Sequence, residues 1–226
     1  MLYLDSVGAR SSHAEIAPEH YRSSLDFAVR AMDILIAVCA LVVLGPFLIL
    51  VAGSICLTDG GSPIFAHQRV GRAGRAFGCL KFRTMVLGSQ QKLEELLARD
   101  PVARAEWERD HKLRNDPRVT MLGRFYRKAS IDELPQLINV LRGEMSIVGP
   151  RPIVNEERAR YGRHFAAYCS VTPGITGIWQ VCGRNDVSYR RRIACDVLYA
   201  RTRSLRRNIS IIAMTVPAVL RSEGSY

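Results

Sequence analysis

The chain has 226 residues, enough for one domain of moderate size and an appendage. Lys and Arg outnumber Asp and Glu by 32 to 21, and such basicity indicates a polyanionic neighbour: nucleic acid, phosphorylated small molecules or an anionic membrane face. The six cysteines form no C-x-x-C pair, which argues against a zinc site or a disulfide framework and indicates a reducing compartment.

The N-terminal residues change abruptly from polar to apolar. Residues 1–25 are polar and lack the basic start and apolar core of a secretory signal, so we expect a disordered or weakly docked tail. The run from Ile34 to Leu57 then contains 24 residues without a charge. A run of about 18 or more apolar residues is a candidate membrane helix. The alternative is a wholly buried helix of a soluble domain. We predict a membrane segment over residues 26–59.

Gly45-Pro46 lies in the middle of this segment, where proline removes a backbone hydrogen bond and bends a helix. Five cations and no acid follow between residues 61 and 90, which favours a cytoplasmic location for that flank. We therefore predict a helix–break–helix that enters the leaflet and returns, so that both of its ends lie in the cytoplasm.

The remainder is predicted to be one cytoplasm-facing domain over residues 60–226, α/β (α+β) in class and mostly helical. Glycines separate two strands of a hairpin, and Asp100-Pro101 separates two surface helices. The C-terminal apolar stretch suits an amphipathic helix in the membrane interface, and packing on the domain is the alternative. The predicted elements are strands at 64–70 and 76–84, helices between 90 and 111, a helix at 189–203 and the C-terminal helix at 209–220.

Adjacent carboxylates, Asp132 and Glu133, lie within a segment rich in cations. Apolar residues recur from Leu134 to Leu141 with helical spacing, and Gly143 is placed to end such a helix. The pattern predicts a helix that opens near Asp132, with Ser130 or Asp132 as its cap. The alternative is that Ser130 and Glu133 form a capping box without any catalytic role.

Two neighbouring carboxylates can divide the work at a phosphate, one as nucleophile and one as ligand of a divalent metal. Attack by an anion on a phosphate requires neutralising charge, which arginines, a helix N-terminus and Mg²⁺ can supply. Any single arginine of this chain is more commonly solvated or lipid-facing, so the hypothesis depends on the whole set. The candidate cations are Lys81, Arg83, Arg127, Arg151 and Arg184.

Three stretches carry a specific resemblance to a known family. They are, in chain order, PIFAHQRVGRAGRAFGCLKFRTM (63–85), NDPRVTMLGRFYRKASIDELPQLINVLRGEMSIVGPRP (115–152) and TPGITGIWQVCGR (172–184). With the apolar segment they cover most of residues 30–220. The chain resembles the bacterial sugar transferases of the monotopic phosphoglycosyl transferase family, which start exopolysaccharide and O-antigen-type glycan assembly.

The resemblance implies a mechanism. Asp132 matches the nucleophile that attacks the β-phosphate of a UDP-sugar, so that UMP leaves and a phosphosugar stays on the aspartate. A polyprenyl phosphate, typically undecaprenyl phosphate, then accepts the phosphosugar. Glu133 matches the second carboxylate, and both are associated with Mg²⁺. Arg127 matches the arginine proposed to hold the lipid phosphate, and Arg151 belongs to a turn near the nucleotide-sugar site. For four further residues only membership of motifs around the substrate site is implied: Lys81, Arg83, Gln180 and Arg184.

The family also implies a bacterial inner-membrane enzyme with its catalytic domain on the cytoplasmic face, in contact with membrane lipid and not with nucleic acid. A homodimer is possible, and galactose or glucose is the expected sugar. The chain matches the minimal, exopolysaccharide-type form. It departs from the family in having Gly45-Pro46 where a Ser-Pro pair is common, and in having Asn208 or a neighbouring residue where an aspartate is usual.

Two other functions would explain part of the sequence. A membrane-anchored protein that binds anionic polymers would account for the charge and the apolar run, although aromatic residues are sparse among its cations. A glycosyltransferase that moves sugar without phosphate would release UDP instead of UMP.

Overall fold

One long helix, several shorter helices and two small sheets make up the part of the chain described by the computed structural model, residues 19–110, 113, 115–183 and 187–220. The mostly helical α+β class is confirmed there. The helices are α1 (Glu19–Asp59), α2 (Ser89–Arg99), α3 (Pro101–Asp110), α4 (Met121–Lys128), α5 (Gln136–Arg142), α6 (Arg158–Tyr161), α7 (Phe165–Cys169), α8 (Ile178–Cys182), α9 (Tyr189–Thr202) and α10 (Leu205–Leu220). The strands are β1 (Ile64–Val70), β2 (Ala76–Phe82), β3 (Ser146–Val148) and β4 (Gly174–Thr176).

Helix α1 is long and apolar enough between Ser24 and Thr58 to cross a membrane. Its helical assignment continues through Pro46, so no coil separates two helices there, and the predicted bend with return to the same side stays a prediction. A proline inside a helix costs one hydrogen bond and bends the axis, and the helix can resume on the other side without an intervening coil. Most of the apolar side chains in its middle are exposed, as are Val42, Val43, Ile49 and Leu50.

Both ends of α1 are attached to the rest of the domain. Near its start, the Arg30 guanidinium donates to the carbonyls of Val140 and Leu141 at 2.5 and 2.8 Å, which satisfies the open C-terminal end of α5. The buried Asp33 carboxylate accepts a bond from the Ile147 N–H of β3 at 3.0 Å. Near its end, Ser54 and the hydroxyl of Tyr126 on α4 are 2.6 Å apart. The middle of α1 therefore lies between two polar attachments.

The predicted hairpin is confirmed. Strands β1 and β2 pair antiparallel from Ile64 opposite Phe82 to Val70 opposite Ala76. Asn139, which is fully buried on α5, joins this hairpin to the helix: its amide nitrogen donates to the Gly78 carbonyl at 2.8 Å and its oxygen accepts from the Leu80 N–H at 2.9 Å. The hairpin is thereby fixed against the segment that follows the two carboxylates.

A second, parallel sheet is formed by β3 and β4, with Ser146 opposite Gly174 and Val148 opposite Thr176. The turns that follow the two strands approach so closely that a Cβ atom on Gly177 would lie 2.4 Å from the Gly149 carbonyl oxygen. Parallel strands end at the same edge of a sheet, and ligands commonly bind in the crevice beyond that edge. The residues after β3 and β4 are therefore brought to one place.

The C-terminal helices pack on this sheet. The hydroxyl of the buried Tyr199 on α9 donates to the Val148 carbonyl at 2.8 Å and lies 3.0 Å from Asn208 Oδ1. Asn208 is fully buried on α10, so the residue that departs from the family pattern joins α10 to α9. Elsewhere on its surface α10 exposes Ile209 and Val216. One face of α10 thus packs on the domain, as the alternative prediction proposed, while an apolar face remains available.

Candidate active site

The segment with the two carboxylates begins differently from the prediction. Ile131–Glu133 forms a 3₁₀ turn, and α5 begins only at Gln136. Ser130 has φ of +57° and its side chain makes no capping bond, so both the predicted helix start near Asp132 and the capping box are wrong. Because Pro135 has no N–H, the Ile131 carbonyl cannot receive an α-helical bond and instead accepts from Leu134 at 3.1 Å. The predicted helix end is confirmed at Gly143, which is left-handed.

Asp132 and Glu133 experience opposite electrostatic environments. Asp132 is 9% exposed, and burial raises its pKa from 3.8 to about 6, since the charges of Lys81 and Arg127 only partly oppose burial and the Glu133 charge adds to it. Burial also acts to raise the pKa of Glu133, but the cations Lys81 and Arg151 outweigh it and hold that pKa below its ordinary value. Pairs of carboxylates whose pKa values are pushed apart are typical of catalytic sites.

A polar pocket opens beside the pair. Its walls come from the hairpin, the 3₁₀ turn with the start of α5, the turn that follows β3, strand β4 and helix α8. The lining residues include three cations, one carboxylate and two amides: Arg69, Lys81, Arg151, Glu133, Gln136 and Gln180. The Lys81 ammonium donates to Glu133 Oε1 at 2.6 Å. Among the lining residues the pocket therefore has two cationic side chains beyond the one that is paired with Glu133.

Four of the predicted site residues meet in this pocket: Lys81, Glu133, Arg151 and Gln180. Asp132 does not line the pocket itself but precedes the lining residue Glu133 in the chain. The Nε atom of Arg127 donates to Thr84 Oγ1 at 2.9 Å, and its charge lowers the pKa of Asp132. Arg127 thus approaches the carboxylates from outside the pocket lining.

Arg83 lies elsewhere. Its Nη2 donates to the Gly61 carbonyl at 3.1 Å, and the side chain lines a second cavity with Ile55 and Thr58 of α1 and Leu122 of α4. Arg83 does not line the pocket that contains Lys81, although its backbone N–H still donates across the hairpin to the Pro63 carbonyl at 2.8 Å. Arg184 lies outside the described residues.

Arg69 and Gln136 were not among the predicted site residues. Gln136 is 3% exposed and lines the pocket from the first turn of α5. On Gln180 the amide nitrogen donates to the Ile175 carbonyl at 2.9 Å, while Oε1 is buried and finds no partner among the described residues. A polar residue at the start of an otherwise apolar helix was the available signal for Gln136. For Arg69 the signal was its placement on the hairpin with Lys81.

The carboxylates provide a limited set of metal ligands. Within the described ranges no group of three or more His, Cys, Asp or Glu side chains is close enough to hold an ion. Asp132 and Glu133 remain as adjacent oxygen donors, and Glu133 is already paired with Lys81. Mg²⁺ typically keeps several waters and binds through one or two carboxylates together with substrate phosphates. The donor set therefore fits Mg²⁺ when a phosphate ligand completes it.

Sequence comparison decides the family. The family model for bacterial sugar transferases matches residues 24–222, which include every element described above from most of α1 to α10. The chain belongs to the bacterial sugar transferase family.

The relatives of this chain carry informative names. The chain is 50% identical over 205 residues to the undecaprenyl-phosphate galactose phosphotransferase of Salmonella typhimurium. The matched stretch is 91% of this chain and 43% of that protein. The chain is 48% identical over 197 residues to the exopolysaccharide production protein ExoY of Sinorhizobium fredii, and this match covers 87% of each. The UDP-glucose:undecaprenyl-phosphate glucose-1-phosphate transferase of Caulobacter vibrioides is 38% identical over 213 residues, 91% of this chain and 74% of that protein. The chain spans less than half the length of the Salmonella relative.

Proposed function

We propose that the protein transfers a hexose 1-phosphate from a UDP-sugar to a polyprenyl phosphate, typically undecaprenyl phosphate, and releases UMP. One observation carries this proposal: the buried Asp132 stands beside a pocket in which three cations surround one paired carboxylate. Such a pocket suits a diphosphate, and a partly desolvated carboxylate next to it suits a nucleophile. The names of the relatives, which are undecaprenyl-phosphate galactose or glucose phosphotransferases, support the same reaction.

In the first step, a carboxylate oxygen of Asp132 attacks the β-phosphorus of the donor. The bond from that phosphorus to the bridging oxygen breaks, UMP leaves with the electron pair, and the sugar phosphate remains as an acyl phosphate on Asp132. Lys81 and Arg151 offset the negative charge that collects on the phosphoryl oxygens. Mg²⁺, held by Asp132 and Glu133 with the donor phosphates, would supply further Lewis-acid neutralisation.

In the second step, a phosphate oxygen of the acceptor attacks the same phosphorus. The bond to Asp132 breaks, the carboxylate is regenerated, and the product is a polyprenyl diphosphosugar. Arg127 is suited to the acceptor phosphate because its charge acts on Asp132 from outside the pocket lining. Galactose or glucose is the proposed sugar, in line with the names of the relatives, and this step would begin an exopolysaccharide or another surface glycan.

We also propose that α1 enters the cytoplasmic leaflet of the bacterial inner membrane and returns to the same side. Arg30 and Asp33 near one end and Ser54 near the other all contact the same domain, which supports this course. Single cysteines near residue 20 and at Thr58, in a background without the native cysteines, should both resist a membrane-impermeant thiol reagent in intact cells. Labelling at one end only would indicate a full crossing.

The reaction is tested by identifying the nucleotide that is released. The purified protein is incubated with Mg²⁺, undecaprenyl phosphate and UDP-galactose or UDP-glucose, and the expected product is UMP. We expect Asp132→Asn to reduce turnover by about 10⁴-fold or more and to abolish the phosphosugar adduct, because the amide is a poor nucleophile. Glu95→Gln, at an exposed carboxylate of α2, is the matched control and should be fully active.

Each alternative predicts another result. Release of UDP would indicate a glycosyltransferase that moves sugar without phosphate. Absence of any nucleotide product would favour a protein that only binds polyanions. Near-normal activity of Asp132→Asn would place the nucleophile on another residue.

A further inference from the structure

We propose that Arg69 binds the donor phosphate that leaves with UMP, as a third phosphate ligand in the pocket besides Lys81 and Arg151. The proposal rests on the proposed function and assigns a residue and a subsite within it.

Neutral acceptors fix the Arg69 side chain at the wall of the pocket. Its Nη1 donates to the carbonyl of Pro152 at 3.2 Å, and its Nη2 lies 3.2 Å from the Nδ1 atom of His67. Within the part of the chain that the structure describes, no ion pair joins Arg69 to a carboxylate. The guanidinium is thus oriented by its surroundings, and no carboxylate of the described residues lies in salt-bridge contact with it.

The charges around Arg69 make this arrangement costly in the absence of an anion. Burial is the largest cause that lowers the pKa of Arg69, and the charge of Arg151 is the second. Glu133 is the carboxylate in the pocket lining, and it is paired with Lys81. Two arginines therefore share one pocket with a single lining carboxylate, which already accepts a hydrogen bond from Lys81. A bound phosphate would remove this repulsion, and a guanidinium fork matches two phosphate oxygens.

The position of Arg69 relative to the two carboxylates indicates which phosphate of the donor it binds. Arg69 and Glu133 both line the pocket, whereas Asp132 is not among its lining residues. Arg69 thus lies on the Glu133 side of the pair, away from the nucleophile. Because Asp132 attacks the β-phosphate, the phosphate within reach of Arg69 is the α-phosphate, which departs as part of UMP.

The test measures UMP binding directly, in the absence of acceptor, together with donor kinetics. We expect Arg69→Met to weaken UMP binding and to raise the KM for the UDP-sugar by about tenfold or more, with a smaller change in kcat. Arg69→Lys, which keeps the charge but loses the fork, should fall between the wild type and Arg69→Met. Uridine, which lacks the phosphate, should bind Arg69→Met and the wild type equally.

The matched control is Arg75→Met, since Arg75 is an exposed arginine in the turn of the same hairpin and does not line the pocket. It should leave UMP binding and KM unchanged. If both Arg69 variants bind UMP as tightly as the wild type, the inference is wrong, even when their melting temperatures are lower. If the wild type binds UMP but releases none from UDP-sugars, the proposed function fails and the binding comparison still decides the role of Arg69.

Discussion

At the scale of single residues, Asp132 is in an environment that favours its protonated form. The unfolded chain ionises this group near 3.8 and the folded chain near 6, so the folded state retains the proton between these values. A carboxyl group whose folded pKa is raised lowers stability as pH rises through that window. Above it, the buried carboxylate costs about 3 kcal/mol. The burial that leaves the nucleophile weakly solvated therefore lowers the stability of the fold at neutral pH.

This cost predicts that a variant without activity gains stability. Asp132→Asn should raise the free energy of unfolding by about 1–3 kcal/mol at pH 8, and most of that gain should be absent at pH 4.5, where the native carboxyl is largely protonated. Urea unfolding in detergent, followed by tryptophan fluorescence at both pH values, measures the difference.

Asp116 provides a control, because its pKa is shifted in the direction opposite to that of Asp132. Burial acts to raise the pKa of Asp116, but hydrogen bonds from Arg118, one of them 2.6 Å long, hold that pKa below its ordinary value. A carboxylate with a lowered pKa stabilises the fold above that range, so Asp116→Asn should lose stability at pH 8. The same direction of change in both variants would contradict the electrostatic account.

At the scale of elements, Asn139 connects the hairpin to α5 and thereby sets Lys81 against Glu133. Its side chain bonds Gly78 and Leu80 on β2 and also donates to Glu144 at 2.6 Å. Asn139→Ala would leave these buried groups unpaired, and we expect a loss of about 2–4 kcal/mol in unfolding free energy together with reduced turnover. Thermal and urea unfolding measure the loss. Asn155→Ala, at an exposed asparagine bonded to Arg158, should change stability by less than about 0.5 kcal/mol.

Some of these elements could be predicted from sequence, and others could not. The hairpin, the two surface helices and the helix end at Gly143 follow from glycine, proline and apolar spacing, which act locally. The pairing of β3 with β4 does not, because each strand has only three residues and their contact joins segments far apart in the chain. That pairing is what brings Arg151 and Gln180 into one pocket.

The carboxylate pair itself was predictable because charges among apolar residues are conspicuous. Its local geometry was not, since the left-handed Ser130 and the missing N–H of Pro135 convert an expected helix start into a 3₁₀ turn. Arg69 and Arg83 also show what could not be predicted from the sequence, namely which of the two lines the pocket. Both are arginines in or next to the hairpin, and only the three-dimensional course of the strands determines which one faces the pocket.

At the scale of the whole molecule, α1 is part of the domain. Asp33 illustrates this, because it is 3% exposed and accepts the Ile147 N–H. Asp33→Asn keeps an oxygen at the same place and should unfold near the wild-type temperature. Asp33→Leu removes the acceptor, and we expect a loss of about 1–3 kcal/mol from the buried, unpaired N–H. Equal stability of the two variants in detergent would show that this contact contributes little.

The attachments of α1 also bear on the order of events during synthesis. Arg30 and Asp33 bond residues that follow them by 110 to 114 positions. Helix α1 therefore leaves the ribosome long before its partners exist, and α5 and β3 emerge with backbone groups to which α1 then bonds. Docking of α1 and completion of the domain therefore occur together, because α1 cannot form these bonds until α5 and β3 have been synthesised. A chain shortened by removal of α1 would be an unfinished domain and not a soluble enzyme.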